Sequence, residues 1–167
     1  MRIAIRGRIK RLKFSLVVGT ITSVKGVNSA LADGNHIIMW EFDETDYETV
    51  WHWLWAAQAF HSLPHIYVSR SHPGGGYHAY CFTRVSWVKS IEIVASTQGV
   101  DPGYISMCAM RGHWTLRLTD KGQGQPEHLG ILHSDHPQNV EAAELLSYVD
   151  YEVWTKSMSI TIGKRGL

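Results

Sequence analysis

His36-Ile37-Ile38-Met39-Trp40-Glu41-Phe42-Asp43 is the stretch on which the fold turns. It is a short apolar run that becomes polar at its end, bounded at its start by Gly34 and Asn35, and it reads as a strand. Strand side chains alternate between faces with period two. Ile38, Trp40 and Phe42 therefore share one side, and Glu41 and Asp43 take the other. Bulky apolar residues belong under helices, so the two acids are expected on the opposite, open face.

Working outward, Asp46 to His61 reads as a helix. Asp46 is its N-cap, and Tyr47, Val50, Trp51, Leu54, Ala57 and His61 form one stripe. Trp53 and Trp55 fall off that stripe, and one or both are expected to face a partner. Pro64 stops the helix. His65 to Arg70 and Tyr77 to Val85 read as a hairpin whose tip is Ser71-His72-Pro73-Gly74-Gly75-Gly76. Ser86 caps a second helix that ends near Gly99. Ile105 to Met110 and His113 to Thr119 are expected as a second hairpin around Arg111-Gly112. A short helix near Asn139 to Leu146 and a strand from Tyr148 to Trp154 complete the chain.

This order predicts an α+β fold, a ferredoxin-like or RRM-like β-α-β-β-α-β core, with an antiparallel sheet and both helices on one face. Residues 1–33 are read as a basic N-terminal arm and 34–167 as a single α+β domain of catalytic type. The chain has 167 residues with 44% hydrophobic and 19% charged, values of a folded protein able to bury a core. No run approaches the roughly 18 apolar residues that span a bilayer. Two cysteines outside any CxxC pair point to a reducing compartment, and the expected location is cytoplasmic. The start loosely imitates a secretion signal, but Gly19, Thr20, Thr22, Ser23 and Lys25 break its apolar run.

Net charge is only +1, yet no acid precedes Asp33. Arg2, Arg6, Arg8, Lys10, Arg11, Lys13 and Lys25 come before it, and Arg6 through Lys13 are the candidate nucleic-acid contacts. A solvated chain end is the plain alternative.

The polar residues carry the chemical argument. Glu41 and Asp43 are expected to share the open face with His78 and, from the later strand, Arg117. Two acids spaced by two on a strand can clamp a hard divalent cation such as Mg2+ or Mn2+ through oxygen. Such ions can activate a hydroxyl and neutralise a triphosphate. Imidazole can bind phosphate or move a proton, and guanidinium can grip phosphate oxygens. Gly75 and Gly76 allow close approach of backbone to a nucleotide. Asp120 is a candidate third metal ligand, although Thr119-Asp120-Lys121-Gly122 also reads as a turn. Ten histidines without a CxxC pair do not make a zinc site.

Met39-Trp40-Glu41-Phe42-Asp43, the helix after it, Tyr67-Val68-Ser69 and Gly75-Gly76-Tyr77-His78-Ala79-Tyr80 together resemble the archaeo-eukaryotic primase superfamily, including the primase-polymerase domains of plasmids and viruses. The likeness spans roughly Ile37 to Lys121. It implies metal-dependent nucleotidyl transfer on single-stranded DNA. Glu41 and Asp43 would be ligands, His78 would sit at the incoming nucleotide, and Ser69, Arg117 and Lys121 would be at its phosphates. A helicase or other replication protein would be a partner. The first acid is Glu where the family pattern has Asp, and a third acid is not plain.

Two other classes fit the same pattern. A rolling-circle replication endonuclease would use paired histidines and a tyrosine. Here His65-Ile66-Tyr67 lacks a second His in register, with Tyr148 or Tyr151 beside Lys156 as nucleophile. A non-catalytic single-strand binder would stack bases on Tyr67, Tyr77 and Tyr80.

Overall fold

In chain order the strands and helices are β1 (Arg2–Ile9), β2 (Leu12–Gly19), β3 (Ile21–Asn28), β4 (His36–Phe42), α1 (Tyr47–His61), β5 (Ile66–His72) and β6 (Gly76–Val85). After these come α2 (Trp87–Ser96), α3 (Pro102–Arg111), β7 (Thr115–Arg117), β8 (Glu127–Leu132), a 3-10 turn (Ala142–Glu144), β9 (Tyr148–Trp154) and β10 (Ser157–Ile162). This computed structural model describes residues 2–9, 12–19, 21–120, 124–145, 148–154 and 157–162, with side chains at 24–120, 124–141 and 143–145. The result is a mixed α+β fold. Among the described residues no helix is long and apolar enough to cross a membrane.

The central sheet is antiparallel throughout, in the order β4-β6-β5-β8. β4 and β5 run parallel with β6 between them, and α1 makes the crossover. Trp40, Phe42, Tyr77, Ala79, Val68 and Cys81 are buried on the helix side. Val50, Leu54 and Ala57 of α1 and Ile93 and Val94 of α2 are buried helical residues. Asp46 caps α1 by accepting from the Thr49 amide, and Ser86 caps α2 by accepting from Lys89. Trp53 lies flat near Phe42 and over Gly99, half-buried against the core, whereas Trp55 is exposed.

Three expectations change. Residues 105–110 are helix, not strand. Asp101 accepts from the amides of Gly103 and Tyr104, Pro102 occupies the first turn, and Gly112 (φ 77°) closes α3 with a bond to the Cys108 carbonyl. The cap, the proline and the glycine outweigh a short alternating pattern. The fourth strand of the sheet is β8, beside β5, and not the 113–119 segment. The edge of β4 is instead occupied by Ser29, Asp101 and Tyr104. The Ile37 amide donates to the Ser29 carbonyl, the Asp101 amide to the Glu41 carbonyl, and the Tyr104 hydroxyl to the Met39 carbonyl. Near Asn139 to Leu146 only the single 3-10 turn forms among the described residues.

The stretch read as an arm carries strands. β1 pairs with β2 antiparallel and with β10 parallel, while β3 pairs antiparallel with both β7 and β9. Val24 and Val27 are buried, and the Ser29 hydroxyl bonds both His36 Nδ1 (2.9 Å) and the Trp114 amide (3.0 Å). The segment ahead of Asp33 is thus joined to the later chain by backbone and side-chain bonds.

Candidate active site on the central sheet

Register builds the site. Glu41 lies directly across from His78, His78 across from Ser69, and Ser69 across from His128. Directly paired residues of antiparallel strands project to the same face, so these four side chains form one row across four strands. Two positions along lies a second row on the same face, Met39–Tyr80–Tyr67.

His78 Nε2 stands 3.7 Å from Glu41 Oε1, with the imidazole 1% and the carboxylate 25% exposed. That distance is too long for a hydrogen bond. Glu41 is the partly open end of the pair, and His78 is its buried wall. The expectation of an open sheet face is therefore corrected at His78, which lies among buried neighbours such as Met39. Burial pushes the Tyr80 hydroxyl well above the usual tyrosine range. The nearby Glu41 charge adds to the shift and Arg117 opposes it. Tyr104 is raised by burial first, then by Cys108 and Glu41. Both phenols thus stay neutral beside the carboxylate.

Asp43 is exposed, one residue past the end of β4. The chain then turns through Glu44 (φ 55°) to Thr45, whose amide meets the Gly75 carbonyl at 3.4 Å. Gly75 (φ 93°) has no room for a side chain, because a Cβ would lie 2.9 Å from the Thr45 carbonyl oxygen. A Cβ on Gly76 would collide with Ser71 and His72. The close approach allowed by the glycine turn is thus made by the protein's own chain leaving β4. The turn, Asp43 and the Glu41–His78 pair occupy one end of the sheet.

Arg117 is 5% exposed. Its guanidinium donates to the carbonyls of Ser71, Thr119 and Gly124. It ties Thr119 and Gly124 to the hairpin between β5 and β6, which is a different task from gripping phosphate. Asp120 is bonded beside them. Its Oδ1 accepts from the Gly124 amide (2.8 Å), and its own amide donates to Gln125 Oε1 (3.1 Å). Lys121 lies outside the described residues, as do Lys10, Arg11 and Lys156. Arg6, Arg8 and Lys13 fall on β1 and β2, and Tyr148 and Tyr151 on β9. Tyr67 donates to Gln138 Oε1 (3.2 Å) and packs edge-on against Phe82, so the 133–145 segment reaches this face of the sheet. His65 Nδ1 accepts from the Ser134 amide, which gives it a structural task.

Among the described residues no three His, Cys, Asp or Glu side chains converge as a metal cluster. His128, at the far end of the row, escapes sequence reading because a bulge between Val68 and Ser69 in the β5–β8 pairing shifts the alternation of β8. Asp101 and Tyr104, which support the edge behind Glu41, were legible in principle from Asp101-Pro102. A separate cavity of about 430 Å3, lined by Trp53, Ala57, Phe60, His61, Ser96 and Gln98, shares no residue with the row. Set against known protein families, curated proteins and solved structures, the chain matches none.

Proposed function

We propose that this chain is a DNA-replication protein of the primase-polymerase type, carrying out metal-dependent nucleotidyl transfer on single-stranded DNA. The observation that carries the reading is the facing pair of Glu41 and His78 at the end of β4 where Asp43 and the glycine turn also lie. In this reading the β4-α1-β5-β6-α2 run is the ferredoxin-like core, with β8 placed on the unexpected edge.

The donor set fits a divalent ion held by few protein ligands. Carboxylate oxygens of Glu41 and Asp43 suit Mg2+ or Mn2+, which complete their shells with water and substrate phosphates. When bound, such an ion supplies charge neutralisation at the triphosphate and activation of the attacking hydroxyl. The chain's own residues do the rest. Glu41 presents its carboxylate from a strand whose edge is held by Asp101 and Tyr104. His78 is fixed by burial against rotation. Arg117 ties the hairpin turn, at the Ser71 carbonyl, to the carbonyls of Thr119 and Gly124.

The test is incorporation of labelled deoxynucleotides on a primed single-stranded template with Mg2+ or Mn2+. Glu41→Ala and Asp43→Ala should each abolish incorporation while the protein keeps its far-ultraviolet spectrum. Full activity in both variants would remove the reading. Asp120 favours one alternative, because it is committed to a turn and leaves only two acids at the site. A sheet that stacks bases on Tyr67 and Tyr80, which share a row, would bind single strands without chemistry. Binding that persists in EDTA, with no incorporation under any ion, would select it.

A further inference from the structure

We infer that Glu41 and His78 hold one ion jointly, and that this mixed oxygen–nitrogen pair selects a tetrahedrally disposed transition dication (Co2+ or Zn2+) over Mg2+. As an ion-binding site the inference stands on geometry alone; only its use in catalysis rests on the nucleotidyl-transfer reading above.

Three observations converge. First, the 3.7 Å between His78 Nε2 and Glu41 Oε1 is too wide for a hydrogen bond and close to the spacing of two ligands on one metal. Bonds of roughly 2.1 Å at a tetrahedral-to-trigonal angle place an N and an O ligand about 3.4–3.6 Å apart. Adjacent ligands on an octahedral Mg2+ with bonds of about 2.0–2.1 Å would stand only about 3.0 Å apart. Second, His78 is the only positively ionisable group within ion-pair distance of Glu41 among the described residues. A cation there would offset a carboxylate charge that is only 25% exposed. Third, burial and register hold the two ligands in place. His78 pairs across with Glu41 on one side and Ser69 on the other, while the Glu41 carbonyl is tied to the Asp101 amide. The partial exposure of Glu41 leaves a path for the ion and for the water or phosphate oxygens that would fill its remaining positions.

Ligand chemistry then sets the choice of ion. Imidazole nitrogen is a good donor to transition ions, whereas Mg2+ takes oxygen and keeps its waters. Removing either ligand of the pair should cost at least as much as losing an outer partner, which is about 10–100-fold in affinity.

The experiment is a titration of the full chain with Co2+ alone, read by visible absorption and by calorimetry. Wild type should take up one equivalent that Zn2+ displaces and that a hundredfold excess of Mg2+ does not. Glu41→Gln and His78→Gln should each weaken that equivalent at least about tenfold. Glu41→Gln is isosteric and partly exposed, so it keeps the test decisive if His78→Gln fails to fold. No saturable Co2+ uptake, displacement by Mg2+, or unchanged affinity in Glu41→Gln would each overturn the joint site. If Co2+ binding is unchanged while Glu41→Ala abolishes incorporation, the joint site falls and the primase-polymerase reading stands. If the equivalent is lost in the variants but wild type incorporates nothing with any ion, the site stands and that reading falls.

Discussion

On the helix side of the central sheet, Ile38, Trp40, Phe42, Val68, Ala79 and Cys81 meet as a dry apolar layer. One residue out of step on the same strands, the other side presents Met39, Glu41, Ser69, His78 and Tyr80. The helix side satisfies its side-chain polar group directly: the one indole N–H in this set, that of Trp40, donates to Thr97 Oγ1 at 3.0 Å. The opposite side buries an imidazole against a carboxylate at a distance that makes no hydrogen bond between them. Taking ionisable groups out of water costs stability. The difference therefore teaches where this fold gives up stability and where it gains it.

Breaking the apolar side should have the largest effect. Trp40→Ala removes a fully buried indole and leaves Thr97 without its donor, and is expected to cost about 3–5 kcal/mol in denaturant unfolding. A cost under about 1 kcal/mol would mean that the helices do not pack there as described. Next comes Arg117→Met, which takes a buried cation from three carbonyls; a loss of about 2–3 kcal/mol is expected, with faster amide exchange from Ser71 to Gly76. Exchange unchanged in that turn would show that Arg117 does not hold it.

Glu41→Gln sharpens the comparison from the other side. Its carboxylate is partly exposed and stands 3.7 Å from His78, so stability should move by less than about 1 kcal/mol in either direction. A large loss would make Glu41 structural. The smallest effect is expected from pH. Burial holds the His36 imidazole below the usual histidine range; His113 pushes the same way and Asp33 opposes. A histidine depressed in the folded state favours folding above the unfolded value of about 6.5, and that contribution is lost as pH falls through the folded value. Thermal stability should therefore drop on acidification below about pH 6.5, less so in His36→Gln. A proton-resonance titration of His36 at or above the free value would contradict this.

Much of the central unit was legible because local signals agree with each other. Asp46 and Ser86 cap the helices, the glycine turn joins β5 to β6, and β4 is a short apolar run. The misreadings have equally local causes. Ile105 to Met110 alternates weakly, and the weight of Asp101-Pro102 and Gly112 lies outside that window. The basic start hides strands because charge at alternate positions is compatible with both an arm and a sheet, and pairing with β7 and β9 cannot be read from β3 by itself. Arg117 lies on β7, which pairs with β3 outside the central sheet, and it is buried where an open face was expected. Whether it faces phosphate or three carbonyls depends on loops brought from elsewhere in the chain.

From the amino-acid sequence by itself came the side of the strand on which Glu41 projects, since a period of two is a property of each strand alone. Which residue stands opposite it was decided only in three dimensions. Register is set by turn geometry and by the burial of Trp40, Ala79 and Val68 in one layer, and that packing brings His78 across from Glu41 and Ser69 across from His78.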